Sequence, residues 1–163
     1  AGLSRLEGLD ESKGDIEFTR IKSDLSLFFP LDWMPSKTTL ALRSGVEHLE
    51  GDFNFYQSAF IGGQQEFRGV NRNRYAGNTS QFNNLELRVD IKQVNNQALP
   101  FRFGLLGHFD TARVWYTEES SNVWHQSFGG GVYFDILGFI TLNATYSVAD
   151  DGEALLIQGG FLF

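Results

Sequence analysis

The chain has no cysteine, one methionine and three prolines in 163 residues. Without thiols it can hold neither a disulfide nor a cysteine-ligated metal. No run of about 18 apolar residues occurs, which excludes a transmembrane helix. Cations are the scarcer charge: 13 Lys and Arg stand against 20 Asp and Glu, a net charge of −7. That balance argues against a nucleic-acid partner, because phosphate binding needs basic patches. The acid clusters at Asp10-Glu11, Glu118-Glu119 and Asp150-Asp151 read as solvated loops. There is no helical periodicity, internal repeat or low-complexity tract.

Phenylalanine (16 residues) and glycine (18 residues) are plentiful. This profile suits β-structure with aromatic packing and close backbone approach. The length fits one domain, 1–163. Mean hydropathy is −0.21. Alternating strands can cross a membrane at such an average, since only every second residue meets lipid. The opening Ala1-Gly2-Leu3-Ser4 has no secretory leader and reads as a mature N-terminus or the start of an excised fragment.

Alternation is the main signal. In 84–92, Leu85, Leu87, Val89 and Ile91 alternate with Asn84, Glu86, Arg88, Asp90 and Lys92. In 140–148, Ile140, Leu142, Ala144, Tyr146 and Val148 oppose Thr141, Asn143, Thr145 and Ser147. Segments 15–29, 38–48, 99–116 and 123–136 repeat the pattern. Ile16 and Phe18 fall out of phase, so a bulge, or a stretch beyond the apolar band, is expected there. The last segment, Leu156 to Phe163, reads as a strand running to the final aromatic residue. Phe161 and Phe163 would then share an outer face with Ile157 and Leu155.

These segments make seven strands, and bacterial barrels close with an even number. An eighth is therefore expected within 1–9. The connections at 30–37, 95–98 and 135–138 are short. Those at 10–14, 49–80, 117–122 and 149–152 form the other set, with one very long member. Outer-membrane barrels pair short periplasmic turns with longer external loops. Both termini would then be periplasmic.

Alternation alone leaves the inner face undecided. A soluble barrel of the lipocalin type also alternates, around a greasy ligand cavity. The charged face carries Arg20, Lys22, Asp24, Arg43, Glu47, Glu86, Arg88, Asp90, Lys92, Arg102 and Asp110. Turned outward it is an ordinary soluble surface. Turned inward, its charges must pair with one another.

The long connection breaks the tie. Its Phe55-Tyr56, Gly62-Gly63 and Phe67-Arg68-Gly69 resemble the sixth extracellular loop of the BamA/TamA-type outer-membrane assembly and translocation superfamily, which includes FhaC-type secretion transporters. Val70 stands where that family has Tyr or Phe. Leu85-Glu86-Leu87-Arg88 is similar to the strand that follows the loop. His108-Phe109-Asp110-Thr111-Ala112-Arg113-Val114 resembles the family's aromatic-x-Asp-x-Gly-x-Val, with His108 for the aromatic and Ala112 for the glycine. Phe161 and Phe163 resemble the family's C-terminal assembly signal, with the glycines one or two places displaced. The resemblance covers about residues 14–163, roughly the last half of a full family barrel, without the periplasmic POTRA modules. It implies a miniature barrel or the C-terminal piece of something longer.

The resemblance also implies that Arg68 folds back into the lumen and bonds Asp110; Glu86 or Glu47, on the same expected lumen face by alternation, would be further partners. Independently, a guanidinium in a narrow polar lumen needs an acid, and bidentate pairing would order the loop. Gly69 would permit the tight turn beside it. Otherwise Arg68 is a solvated loop residue. Arg43, Glu47, Glu86, Arg88, Arg102 and His108 would form the lumen network. An eight-stranded barrel is just wide enough to be filled by side chains.

The resulting expectation is an all-β, closed antiparallel transmembrane β-barrel of eight strands with a plugging loop, in the outer membrane of a Gram-negative bacterium. Its partners would be membrane lipid, the outer-membrane assembly machinery during biogenesis, and a possible fused or associated periplasmic domain. Its role would be a non-conducting anchor; an assembly or translocation factor and a lipid-modifying enzyme are the alternatives. No cofactor is expected, since no metal-ligand spacing or phosphate loop occurs. His48, His108 and His125 with Ser44, Ser127, Glu47 and Asp110 are the only candidates for Ser-His-Asp chemistry, and a hydrogen-bonded structural histidine is the simpler reading. Gly129-Gly130-Gly131 lies within a strand and reads as close packing beside aromatics.

Overall fold

A computed structural model describes residues 18–95, 100–116, 122–161 and 163, and the backbone of 5–10. Period-2 patterning produces ten strands: β1 (Arg5–Asp10), β2 (Phe18–Pro30), β3 (Thr38–Gly51), β4 (Ala59–Ile61), β5 (Tyr75–Gly77), β6 (Thr79–Val94), β7 (Phe101–Trp115), β8 (His125–Ile136), β9 (Ile140–Ala149) and β10 (Gly152–Gly159). Eight form one sheet in the order β1-β2-β3-β6-β7-β8-β9-β10. Every ladder in it is antiparallel. The protein is all-β and antiparallel, as the alternation predicts. β1 and β10 are the sheet edges, and among the described residues no ladder joins them.

The long connection from β3 to β6 carries a 3-10 turn, Phe55–Gln57, and the small β4–β5 hairpin. Sequence reading placed neither. The ladder β3–β6 begins at His48↔Thr79, so β6 starts five residues before the expected 84.

The register sorts the faces. Glu47, Ser80 and Val114 line one row, and Ala41, Glu86, His108, Gly129 and Ser147 another. This face is buried and rich in polar groups. The opposite face exposes Ile21, Leu25, Leu85, Leu105, Phe128, Leu142 and Ile157, each at least 40% accessible. The apolar face is thus outermost and the charged face is covered. What covers it is the chain's own long connection.

Two expectations change here. The ladder β2–β3 runs without interruption from Phe18↔Gly51 to Pro30↔Thr39, so there is no bulge at Phe18. Phe18 belongs to the covered face, where it packs with Leu49, Ala59 and Phe53. Ile16 lies outside the described residues. The register shift falls instead between Asp90 and Lys92 of β6.

The second change is the chain end. β10 stops at Gly159, and Gly160 takes φ +83, with its N–H donating to the Thr141 carbonyl at 2.7 Å. A positive φ strongly favours glycine and breaks the period-2 alternation. Phe161 and Phe163 therefore leave the outer face assigned to them and turn to the covered one. Phe161 meets Tyr133 edge-on at 5.0 Å, and Phe163 meets Phe28 at 6.0 Å.

Candidate functional site: a loop sealed against the charged face

Residues 54–74 form the lid of this site. Their contacts reach across most of the sheet. The Gln57 carbonyl accepts from Arg20 of β2. Glu66 takes Lys22 Nζ at 3.1 Å, the Gln65 carbonyl takes Arg43 of β3 at 3.1 Å, and the Glu66 carbonyl takes Asn84 of β6 at 2.9 Å. At Gly69, φ is +90, and an added Cβ would lie 3.1 Å from Ala149 of β9 and 3.2 Å from Ser127 of β8. Tyr75 donates to Asp151, beside the start of β10, at 2.8 Å. The sheet therefore curls around the loop. Phe67 and Val70 pack with Ile61, Phe82 and Ala112 into an apolar cluster above the loop tip.

Beneath that cluster is the charge centre. Arg68 is 2% exposed. Its Nε and Nη2 donate to the two oxygens of Asp110 at 2.7 and 2.8 Å, and its Nη1 donates to Glu86 at 2.6 Å. The other Glu86 oxygen accepts from Arg88 Nε at 2.7 Å. Two guanidinium groups and two carboxylates thus neutralise each other. Bidentate Arg–carboxylate geometry is among the strongest protein ion pairs, and burial makes each partner dependent on the other.

Arg88 continues the chain of contacts. Its guanidinium lies 3.9 Å from the Phe161 ring centroid and about equally far from Phe28 (5.8 Å) and Phe163 (5.7 Å). It also donates to the Phe163 carbonyl at 2.9 Å. Cation–π contact of this kind is worth roughly 0.5–2 kcal/mol per ring, more when water is excluded. Glu86 thereby connects the loop tip to the inward-turned chain end.

The other anticipated charges form separate groups. Glu47 faces Arg20 and Lys22, each at 3.5 Å. Arg43 pairs with Asp24 at 3.3 Å and covers the Phe82 ring at 5.0 Å. Arg102 pairs with Asp135 and with Asp90 at 3.4 Å, and Tyr133 donates to Asp90. Glu66, Asp135, Tyr133 and the Tyr75–Asp151 contact were not foreseen. Their partners lie on distant segments, and no local pattern announces them. At Tyr75, outside the sheet, burial and then the bond to Asp151 raise the phenol's pKa above its ordinary value.

His108 is buried among these groups. Its Nε2 lies 2.8 Å from Ser147 Oγ, and its Nδ1 lies 3.5 Å from Asp110 but has no hydrogen-bond partner among the described residues. Ser147, His108 and Asp110 thus fall in a line, yet both Asp110 oxygens are held by Arg68 and Ser147 is fully buried. Orientation of a general base needs that carboxylate for itself. The remaining histidines lie elsewhere: His48 bonds Thr79 at 2.7 Å on the outer face, and His125 stacks on Tyr75 at 3.8 Å. Ser44 also faces outward. Gly129 proves to allow close approach of the β9 backbone and of His108 rather than of an aromatic ring, since an added Cβ would collide with the Tyr146 carbonyl oxygen and sit 2.6 Å from His108 Nε2. Among the described residues, no three His, Asp or Glu side chains converge as metal ligands.

No protein-family model, no curated protein and no solved structure matches the chain.

Proposed function

We propose that the protein is an integral outer-membrane β-barrel, closed by apposition of β1 and β10, plugged by its long loop and non-conducting, which anchors a larger chain or a partner at the membrane. One observation carries this reading: the sheet presents its apolar residues outward and covers its charged residues. In water that arrangement is inside out, whereas in lipid it places hydrocarbon against hydrocarbon. The apolar run along the outer side of β7, from Phe101 to Phe109, occupies nine residues. A membrane-crossing strand needs about 9–11. Closure is what the bilayer demands, because unpaired edge groups have no water partner there. The test is insertion into liposomes. Lipid-dependent folding with a heat-modifiable shift on electrophoresis supports the reading, and monodisperse folding in plain buffer without affinity for micelles defeats it.

A second reading, an assembly or translocation factor, draws on the Arg68–Asp110 bond, which is the contact that the family resemblance implies. Sequence upstream of Ala1 separates the two. POTRA modules there favour assembly, and a hydrolase domain favours anchoring.

A further inference from the structure

We infer that the outer face carries a seat for one acyl chain of a membrane lipid from the long-loop-side leaflet, an inference that rests on the membrane reading above. Ser44, Asn83 and Thr111 are direct cross-strand neighbours on β3, β6 and β7. They point outward, where the apolar face would lead one to expect hydrocarbon. Ser44 Oγ donates to Asn83 Oδ1 at 2.8 Å, and Asn83 Nδ2 donates to Thr111 Oγ1 at 3.2 Å.

This ladder has a direction. Each member donates a hydrogen bond to the next, and the chain ends on the Thr111 hydroxyl, which accepts from Asn83 and keeps its own O–H to donate. Asn83 keeps a second amide proton as well. The ladder therefore offers donors to an acceptor beyond the protein. A lipid's ester or amide carbonyl is such an acceptor.

Directly below it lies an apolar groove of about 420 Å³, lined by Leu25, Leu27, Leu42, Leu85 and Phe109 beside the ladder itself. The volume is within the usual range for a small-ligand site. On the far side of the ladder the next row holds Ser23, Val46, Gln81 and Arg113, so on β6 and β7 the outer face turns polar there. A lipid's linkage region occupies the same boundary in a bilayer, with its acyl chain directed into the apolar band. Depth, donors and groove thus agree on one occupant: an acyl chain in the groove with its carbonyl on Asn83 and Thr111.

The experiment uses the whole chain reconstituted in vesicles of phosphatidylethanolamine and phosphatidylglycerol, extracted in mild detergent and weighed by native mass spectrometry. One retained phospholipid per chain is expected. Thr111→Val, nearly isosteric, and Leu42→Trp, which fills the groove, should each lower that occupancy about tenfold. Leu142→Trp, on the outer face of β9, should leave it unchanged. Equal retention in all four proteins, or an inserted wild-type protein that retains no phospholipid, overturns the seat while leaving the membrane reading intact. A protein that never enters the vesicles overturns both.

Discussion

Arg68 and Asp110, 42 residues apart in the chain, meet in two parallel hydrogen bonds of 2.7 and 2.8 Å, and the Arg68 backbone N–H lies 3.3 Å from the same carboxylate. Removing one partner leaves a buried charge uncompensated, at a cost of about 3–5 kcal/mol. Arg68→Ala and Asp110→Ala should each destabilise by that amount, and the double variant by clearly less than the sum. Arg68→Lys should not restore stability, because an ammonium cannot span Asp110 and Glu86 together. Urea titration in detergent measures all four. Strict additivity would remove the pair from its central place.

Leu87 lies within the outward apolar band and is the register partner of Leu40 and Gly107. Leu87→Arg is expected to cost about 2–4 kcal/mol in lipid, whereas arginine near the edge of the band should cost about 0–1 kcal/mol. A spin label at Leu87 should relax with lipid-phase oxygen. Faster relaxation with an aqueous nickel chelate would reverse the assignment of faces.

Planar-bilayer recordings should show no porin-like steps. Phe67, Arg68 and Val70 fill one side of the covered face, and Tyr133, Phe161 and Phe163 fill another. A barrel of eight strands has little room beyond that. Reproducible unitary currents from purified protein would show an open path. Currents found only in Arg68→Ala would identify the loop as the plug.

The phenol of Tyr75 is held protonated by burial and by its bond to Asp151. Its pKa in the folded protein lies above the ordinary tyrosine value of about 10. The unfolded chain therefore releases this proton first. The resulting stability is complete below about pH 10 and declines as pH climbs toward the folded value. In the wild type, absorbance at 295 nm should show late-ionising tyrosine, and Tyr75→Phe should lower the amplitude of that late step by one phenol. An unchanged late amplitude in Tyr75→Phe would show that Tyr75 ionises with the ordinary tyrosines.

Much of the sheet was legible because a strand has a period of two and the aliphatic residues keep to it. Leu85 through Val89 and Ile140 through Val148 needed nothing more. Phe18 misled because aromatic residues also serve the covered face, where it packs against the loop as Phe28 does against Arg88. The chain end misled for another reason: alternation assumes an extended backbone, and one glycine at φ +83 annuls it. Arg68 and Asp110 were legible through motif order, whereas Glu66 with Lys22 and Tyr75 with Asp151 depend on how the sheet curls. A three-residue hairpin such as β4–β5 is too short for its period to register.

The placement of the loop has a kinetic corollary. Segments from β2 to β9 all close upon residues 54–74, so the loop acts as a former around which the sheet is rolled. Gly69 lies beside Ser127 and Ala149, so we expect β8 and β9 to settle only after the loop has docked. Contacts so distant in sequence are slow to form. Refolding from urea into micelles should therefore stall in Gly69→Ala with β2, β3 and β6 already protected from hydrogen exchange and β8 and β9 still open. Simultaneous protection of all five strands would mean that the sheet curls first and the loop enters afterwards.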